Sequence, residues 1–123
     1  MEINVKKEDI VSALNTTLGV VEKRQTLPIL ANVLFEVEEN AFKLTATDLE
    51  SEVTTSGPLS VVESAGKTTT SAKKLNELCR LIPDGEEIKL SLNGDKLNIK
   101  TTNGKYSLST LPSSDFPIFD IDS

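Results

Sequence analysis

Hydrophobic and polar positions alternate along most of the chain, and this alternation predicts short β-strands. Two segments instead carry apolar side chains at intervals of three and four, the spacing of a helix with one buried face. Asp9 is predicted to cap the first helix, which continues to Leu18, and Ser71 the second, which continues to Ile82. The predicted strands are residues 2–6, 32–38, 42–48, 50–56, 59–63, 68–70, 87–92, 96–101 and 105–110.

The order of these elements repeats, since a strand, a helix and three strands occur twice when 59–63 and 68–70 are counted as one interrupted strand. Leu44 and Leu97 lie 53 positions apart in the matching strands, and Leu14 and Leu78 lie 64 apart in the matching helices. The difference falls in the connector before the first hairpin. We therefore predict an α+β fold in which a duplicated βαβββ unit gives two antiparallel sheets packed with two helices.

Composition limits the chemistry that this fold can carry. A chain of 123 residues fits a single domain, and the absence of histidine excludes His-activated nucleophiles and His-bound metals. The one cysteine, Cys79, cannot form an intrachain disulfide and is predicted to be a buried thiol. No apolar run approaches the ~18 residues of a membrane span, and the start has no secretory signal, so we expect a cytoplasmic protein.

Charge on the second predicted helix points to a possible nucleic-acid surface. The chain has a net charge of −6, yet Lys73 and Arg80 fall on the polar face of this helix. Such a face is either an ordinary solvated surface or a wall that meets a phosphate backbone. The outward face of the first helix, predicted as Asp9, Ser12, Ala13 and Thr16, is not basic. Because few aromatic residues accompany the cations, DNA contact is expected to be independent of sequence.

Two other classes of function remain open on the residues alone. Asp48, Glu50 and Glu52 alternate along an extended segment and could hold metal ions in a nuclease. A polar outer strand face has the same pattern, and there is no histidine to act as a base. The chain could also be a protein-interaction module that does not contact DNA.

Four segments resemble the first domain of the bacterial sliding clamp family, the beta subunit of DNA polymerase III. They are EKRQTLPILA at 22–31, LTATDLE at 44–50, KKLNELCRLIP at 73–83 and SLSTLPSSDFP at 107–117. Their order and distances fit that domain from Met1 to Asp120. The resemblance implies a clamp domain at 1–117, followed by the start of an interdomain linker at 118–123, in a protein with three such domains.

The resemblance also implies a function and its residues. A full-length clamp is a two-subunit ring around duplex DNA that tethers the replicative polymerase; it catalyses nothing and needs no cofactor or metal. Polymerase and clamp loader would bind its later domains. The DNA contacts implied for this chain are Lys23, Arg24, Lys73 and Arg80. The implied contacts with a second clamp subunit are Lys74, Lys96, Lys105, Tyr106 and Leu108.

Overall fold

The structure, a computed structural model, describes residues 1–21, 27–102 and 104–117. The strands are β1 Glu2–Lys6, β2 Asn32–Glu38, β3 Ala41–Thr47, β4 Glu52–Pro58, β5 Val61–Ser64, β6 Gly66–Ser71, β7 Glu87–Asn93, β8 Lys96–Lys100 and β9 Lys105–Leu111. The helices are α1 Lys7–Leu18 and α2 Ala72–Arg80, with 3₁₀ turns at Pro28–Ala31 and Ser113–Asp115. No helix in these described ranges is long and apolar enough to cross a membrane.

All the strands form one antiparallel sheet in the order β4-β3-β2-β6-β9-β8-β7-β1-β5. Among the described residues, the two halves of this sheet pair only between β6 and β9, at Thr69 with Leu111 and Thr70 with Thr110. The predicted α+β fold with two helices is confirmed. The two predicted sheets are joined into one through this short contact.

The duplicated units exchange their first strands. β1 pairs with β7 of the second unit, and β6 pairs with β2 of the first. The predicted spacing of the repeat was slightly wrong. Ala41 and Lys96, which follow the two-residue hairpin loops, lie 55 positions apart, and the residues before the helices, Lys6 and Ser71, lie 65 apart. A two-residue shift leaves each strand residue on the same face of the sheet, so the sequence pattern could not detect it.

The core lies between the sheet and the two helices, which pack against each other and against the sheet. Phe35 and Phe42 are fully buried on neighbouring strands, and their rings stack with centroids 5.6 Å apart. From the helices, Ile10, Leu14 and Leu75 add fully buried side chains. Burying these large apolar groups is the main contribution to the stability of the domain.

The two helices begin differently. The Ser71 hydroxyl accepts a hydrogen bond from the Lys74 N–H at 3.2 Å, which confirms the predicted cap of α2. Asp9 was wrongly predicted as a cap, because α1 begins at Lys7 and Asp9 lies inside its first turn. The loop before β7 satisfies this helix end instead, since Lys7 N–H donates to the Glu86 carbonyl at 3.0 Å. Tertiary packing therefore replaces the local cap.

Candidate nucleic-acid face and open sheet edge

The exposed face of α2 carries the two cations predicted to meet DNA. Lys73 and Arg80 are both exposed and lie seven residues, or about two turns, apart, which places them on the same face. Glu77, also exposed, lies between them on this face. No ion pair neutralises either cation within the described ranges. The face therefore keeps two positive charges against one carboxylate.

Arg80 also joins the two helices. Its Nη2 atom donates a hydrogen bond to the Asn15 side-chain oxygen of α1 at 2.9 Å. Sequence reasoning missed Asn15. Its polar position on α1 was visible, but only the packing of α1 against α2 reveals its neighbour.

The rest of α1 adds little positive charge to this surface. Lys7, at its start, forms an ion pair with Asp84 and has a side chain only 14% exposed. Ser12 and Thr16 are exposed as predicted, whereas Ala13, predicted to face outward, is buried at 4% exposure. Ala13 falls on the core side because it lies three residues after the buried Ile10.

Lys23 and Arg24, the other two candidate DNA contacts, lie outside the described residues. Their predicted roles stay predictions.

The second candidate site is the edge of β9. This strand pairs with β8 along residues 105–109 but with β6 only at Thr110 and Leu111. The Thr110 N–H donates to the Asp95 carbonyl beside β8, so the backbone groups of Thr110 point toward β8. Successive residues of a strand point their backbone groups to opposite sides, so those of Lys105, Ser107 and Ser109 point away from β8. On the side away from β8, the Ser109 carbonyl accepts a hydrogen bond from the Thr70 hydroxyl at 3.0 Å. At Lys105 and Ser107, no described strand covers this side, so the sheet edge is open there.

Side chains of the predicted subunit contact lie on both sides of this edge. On the helix side, Tyr106 and Leu108 are half-buried against the core, and with Lys74 they line a shallow cavity of about 260 Å³. Lys96 and Lys105 are exposed and lie on the opposite face, because strand side chains alternate. Lys96 Nζ donates to the Ser109 hydroxyl at 3.1 Å. The structure thus places an apolar pair at the edge, with lysines on both faces.

Asp48, one of the carboxylates considered for a metal site, has another use. The Asp48 carboxylate accepts the N–H groups of Ser51 at 2.6 Å and Glu50 at 2.9 Å, closing the turn between β3 and β4. These two bonds lower the pKa of Asp48, with Ser51 the larger cause. Across the described ranges, no three His, Cys, Asp or Glu side chains are grouped so as to hold a metal ion. The arrangement needed for the nuclease hypothesis is therefore absent from that part of the chain.

Cys79 is buried on the core side of α2, as predicted, and is unpaired. Its burial raises the pKa of the thiol to about 12. A thiol with this pKa is a poor nucleophile at neutral pH.

These features together define a class of protein. A duplicated βαβββ unit, paired helices and a continuous antiparallel sheet are the architecture of a DNA clamp domain, and solved sliding clamps have the same fold. One is the DnaN sliding clamp of Pseudomonas aeruginosa bound to griselimycin, with a TM-score of 0.95, 36% identity, and coverage of 100% of this chain and 33% of that chain. Another is the DNA polymerase sliding clamp of Caulobacter crescentus, with a TM-score of 0.94, 34% identity, and coverage of 99% and 33%.

Sequence comparison gives the family itself. The model described as "DNA polymerase III beta subunit, N-terminal domain" matches residues 1–120, and the chain belongs to this family. The beta sliding clamp of Proteus mirabilis is 41% identical over 120 residues, which are 98% of this chain and 33% of the relative. That of Salmonella typhimurium is 39% identical with the same coverage. The chain thus spans about a third of the length of these relatives.

Proposed function

We propose that this chain works as the N-terminal domain of a DNA polymerase processivity factor. Two subunits of the full-length protein would close a ring around duplex DNA and tether the replicative polymerase to its template. The open edge of β9 is the observation that carries this proposal. The uncovered part of β9, with an apolar pair between lysines, offers unpaired backbone groups to a partner strand, and a neighbouring subunit can supply one.

The face of α2 supports the DNA side of the proposal. Lys73 and Arg80 would contact phosphates, together with Lys23 and Arg24 from the connector before β2. Three or four phosphate contacts give weak binding, with a dissociation constant on the order of 10⁻⁴ M or poorer, and no preference for sequence. Weak contacts suit a ring that slides, because closure around the duplex, and not affinity, retains it.

The subunit joint would form along β9. Tyr106 and Leu108 would pack against apolar side chains of the second subunit, while Lys74, Lys96 and Lys105 would meet its acidic residues. Pairing of the open strand would extend the sheet across the joint. Complementary charge on its two sides would fix which edges meet.

The remaining functions would belong to the longer protein. Polymerase and clamp loader would bind later domains, beyond a linker that starts at 118–123, and the ring would act in the cytoplasm as a non-catalytic part of the polymerase holoenzyme. We propose no metal or cofactor for it.

Topological retention is the first test of this function. The full-length clamp is loaded by its loader onto nicked circular DNA and separated from free protein by gel filtration. A ring should stay with the circle in high salt and should leave when a restriction enzyme linearises the DNA. Equal retention on circular and linear DNA would contradict the ring.

The subunit joint has its own test in the full-length protein. Substitution L108D should convert the dimer to monomers, as measured by sedimentation velocity, because it places a carboxylate in the apolar part of the joint. Substitution L49D makes the same change at a leucine that is 48% exposed in the turn between β3 and β4, and in the sheet β2 and β6 separate these strands from β9. It should leave the dimer intact. An intact L108D dimer would refute the assignment of the joint.

The alternative of an interaction module without DNA contact is tested on α2. If a clamp carrying K73Q and R80Q loads, slides and supports replication like the wild type, then this face does not contact DNA.

A further inference from the structure

The hydrogen bond between Asn15 of α1 and Arg80 of α2 points to a role for Asn15. Asn15 lies on the exposed face of α1, and its side-chain oxygen is 2.9 Å from Arg80 Nη2 on α2. No other side-chain hydrogen bond links α1 with α2 in the described ranges. This contact therefore fixes where the end of the flexible arginine side chain lies.

We propose that Asn15 is a positioning residue, which holds the Arg80 guanidinium beside α1 while leaving its charge available to DNA. This inference rests on the proposed contact between α2 and the duplex. A guanidinium has five N–H donors, and the bond to Asn15 occupies one of them. The other donors can still reach phosphate oxygens.

The chemical nature of the partner is central to this role. An amide oxygen is a neutral acceptor, so it orients the guanidinium without cancelling its charge. A carboxylate at the same place would form a bidentate ion pair that satisfies two donors and neutralises the arginine. Asparagine thus offers an acceptor of the same shape without the charge. Holding the side chain in place also lowers the entropy that Arg80 loses when it contacts a phosphate.

Substitution N15D tests the proposal because it keeps the size of the side chain and adds one negative charge. Binding of this chain to a short DNA duplex is followed by ¹⁵N NMR over a range of salt concentrations. Both N15D and R80A should make the plot of log K against log salt less steep by about 0.9, the contribution of one phosphate contact. In wild type, DNA should shift the Arg80 Nε–H signal, and in N15D this shift should be largely lost.

A double-mutant cycle separates this role from a general effect of charge. In the R80A background, N15D should cause no further loss of slope, because the two changes remove the same contact. The control S12D adds the same charge to an exposed residue one turn earlier on α1. Any loss that S12D causes should persist in the R80A background. A second variant, N15A, should keep the wild-type slope while binding more weakly, since Arg80 remains charged but is no longer held.

The outcomes distinguish the two proposals. If DNA shifts no signal on α2, or R80A leaves the slope unchanged, then the DNA contact of Arg80 is wrong and the inference falls with it. If R80A lowers the slope but N15D does not, or if N15D lowers it equally with and without Arg80, then only the role of Asn15 is refuted.

Discussion

Gly57 on β4 is the position where adding one methyl group should disturb the packing of the core most directly. A Cβ atom at this position would lie 2.7 Å from Cε1 and Cζ of the Phe42 ring on the paired strand. Ordinary contact begins at 3.4 Å, so the ring would need to move by about 0.7 Å. Phe42 is fully buried and stacked on Phe35, so no open space receives it. Substitution G57A introduces this Cβ atom and therefore tests the close fit.

Two opposing effects set the size of the change. Overpacking a filled core costs about 1–3 kcal/mol. Replacing glycine by alanine restricts the unfolded chain and returns about 0.4–1 kcal/mol. The clash is the larger effect, so we expect G57A to lower the free energy of unfolding by about 1–2 kcal/mol. For a domain of this size, Tm should fall by roughly 4–8 °C.

The assay is reversible urea and thermal unfolding followed by circular dichroism. Substitution G19A is the matched control. Gly19 ends α1 with a φ of −64°, and a Cβ there would lie 3.8 Å from the Thr16 carbonyl oxygen, an ordinary contact. G19A should therefore be neutral or stabilising by up to about 1 kcal/mol.

A smaller ring neighbour tests the cause of the loss. In an F42L background the clash is relieved, so G57A should cost less than in the wild type, and the two changes should be non-additive. If G57A is as stable as the wild type, or costs the same in the F42L background as in the presence of the phenylalanine ring, then the close fit of Gly57 against the ring is refuted.

Three further predictions concern the cap of α2, the turn between β3 and β4 and the thiol of Cys79. S71A removes the acceptor for Lys74 N–H and should cost about 1 kcal/mol in urea unfolding, with S71T largely retaining stability; an unchanged midpoint for S71A would contradict the cap. The pKa of Asp48 is lowered in the folded state, so the stabilisation from its carboxylate is present above the unfolded pKa of about 3.9 and is lost as the pH falls through the folded value. The Tm of D48N should therefore fall less than that of the wild type between about pH 5 and 3, and parallel curves of Tm against pH would refute this. At pH 8 a pKa of about 12 leaves Cys79 with a thiolate fraction of about 10⁻⁴, so it should resist a disulfide reagent in the folded protein and react once urea unfolds the chain. Rapid reaction in the folded protein would show that the thiol is not buried.

Local patterns identified most of the secondary structure but misplaced features that depend on other segments. Ser71 was correctly predicted as a cap because its hydroxyl bonds to a residue three positions ahead. Asp9 had the same local appearance, yet α1 starts earlier because the Glu86 carbonyl receives the Lys7 N–H. That carbonyl belongs to a loop beyond the second helix, so no local window of sequence contained both partners.

The candidate site shows the same division. Amphipathic spacing was enough to place Lys73 and Arg80 on the exposed face of a helix, since helical periodicity alone decides this. The open edge of β9 required the whole sheet, because a strand is an edge only if no other strand covers it. Nothing in the local pattern of residues indicated that β6 would meet β9 at just two residues.

By itself, the sequence determined the elements, the duplicated unit, the polar face of α2 and, through its resemblance, the family. Periodicity and turn residues are properties of neighbouring positions, and the repeat is a regular spacing of such patterns, so all of them can be read without knowing the fold. Only the tertiary structure decided that the units exchange their first strands, that the halves form one sheet, and that Asn15 meets Arg80. These contacts join residues far apart in the chain, and the packing of the whole core selects them.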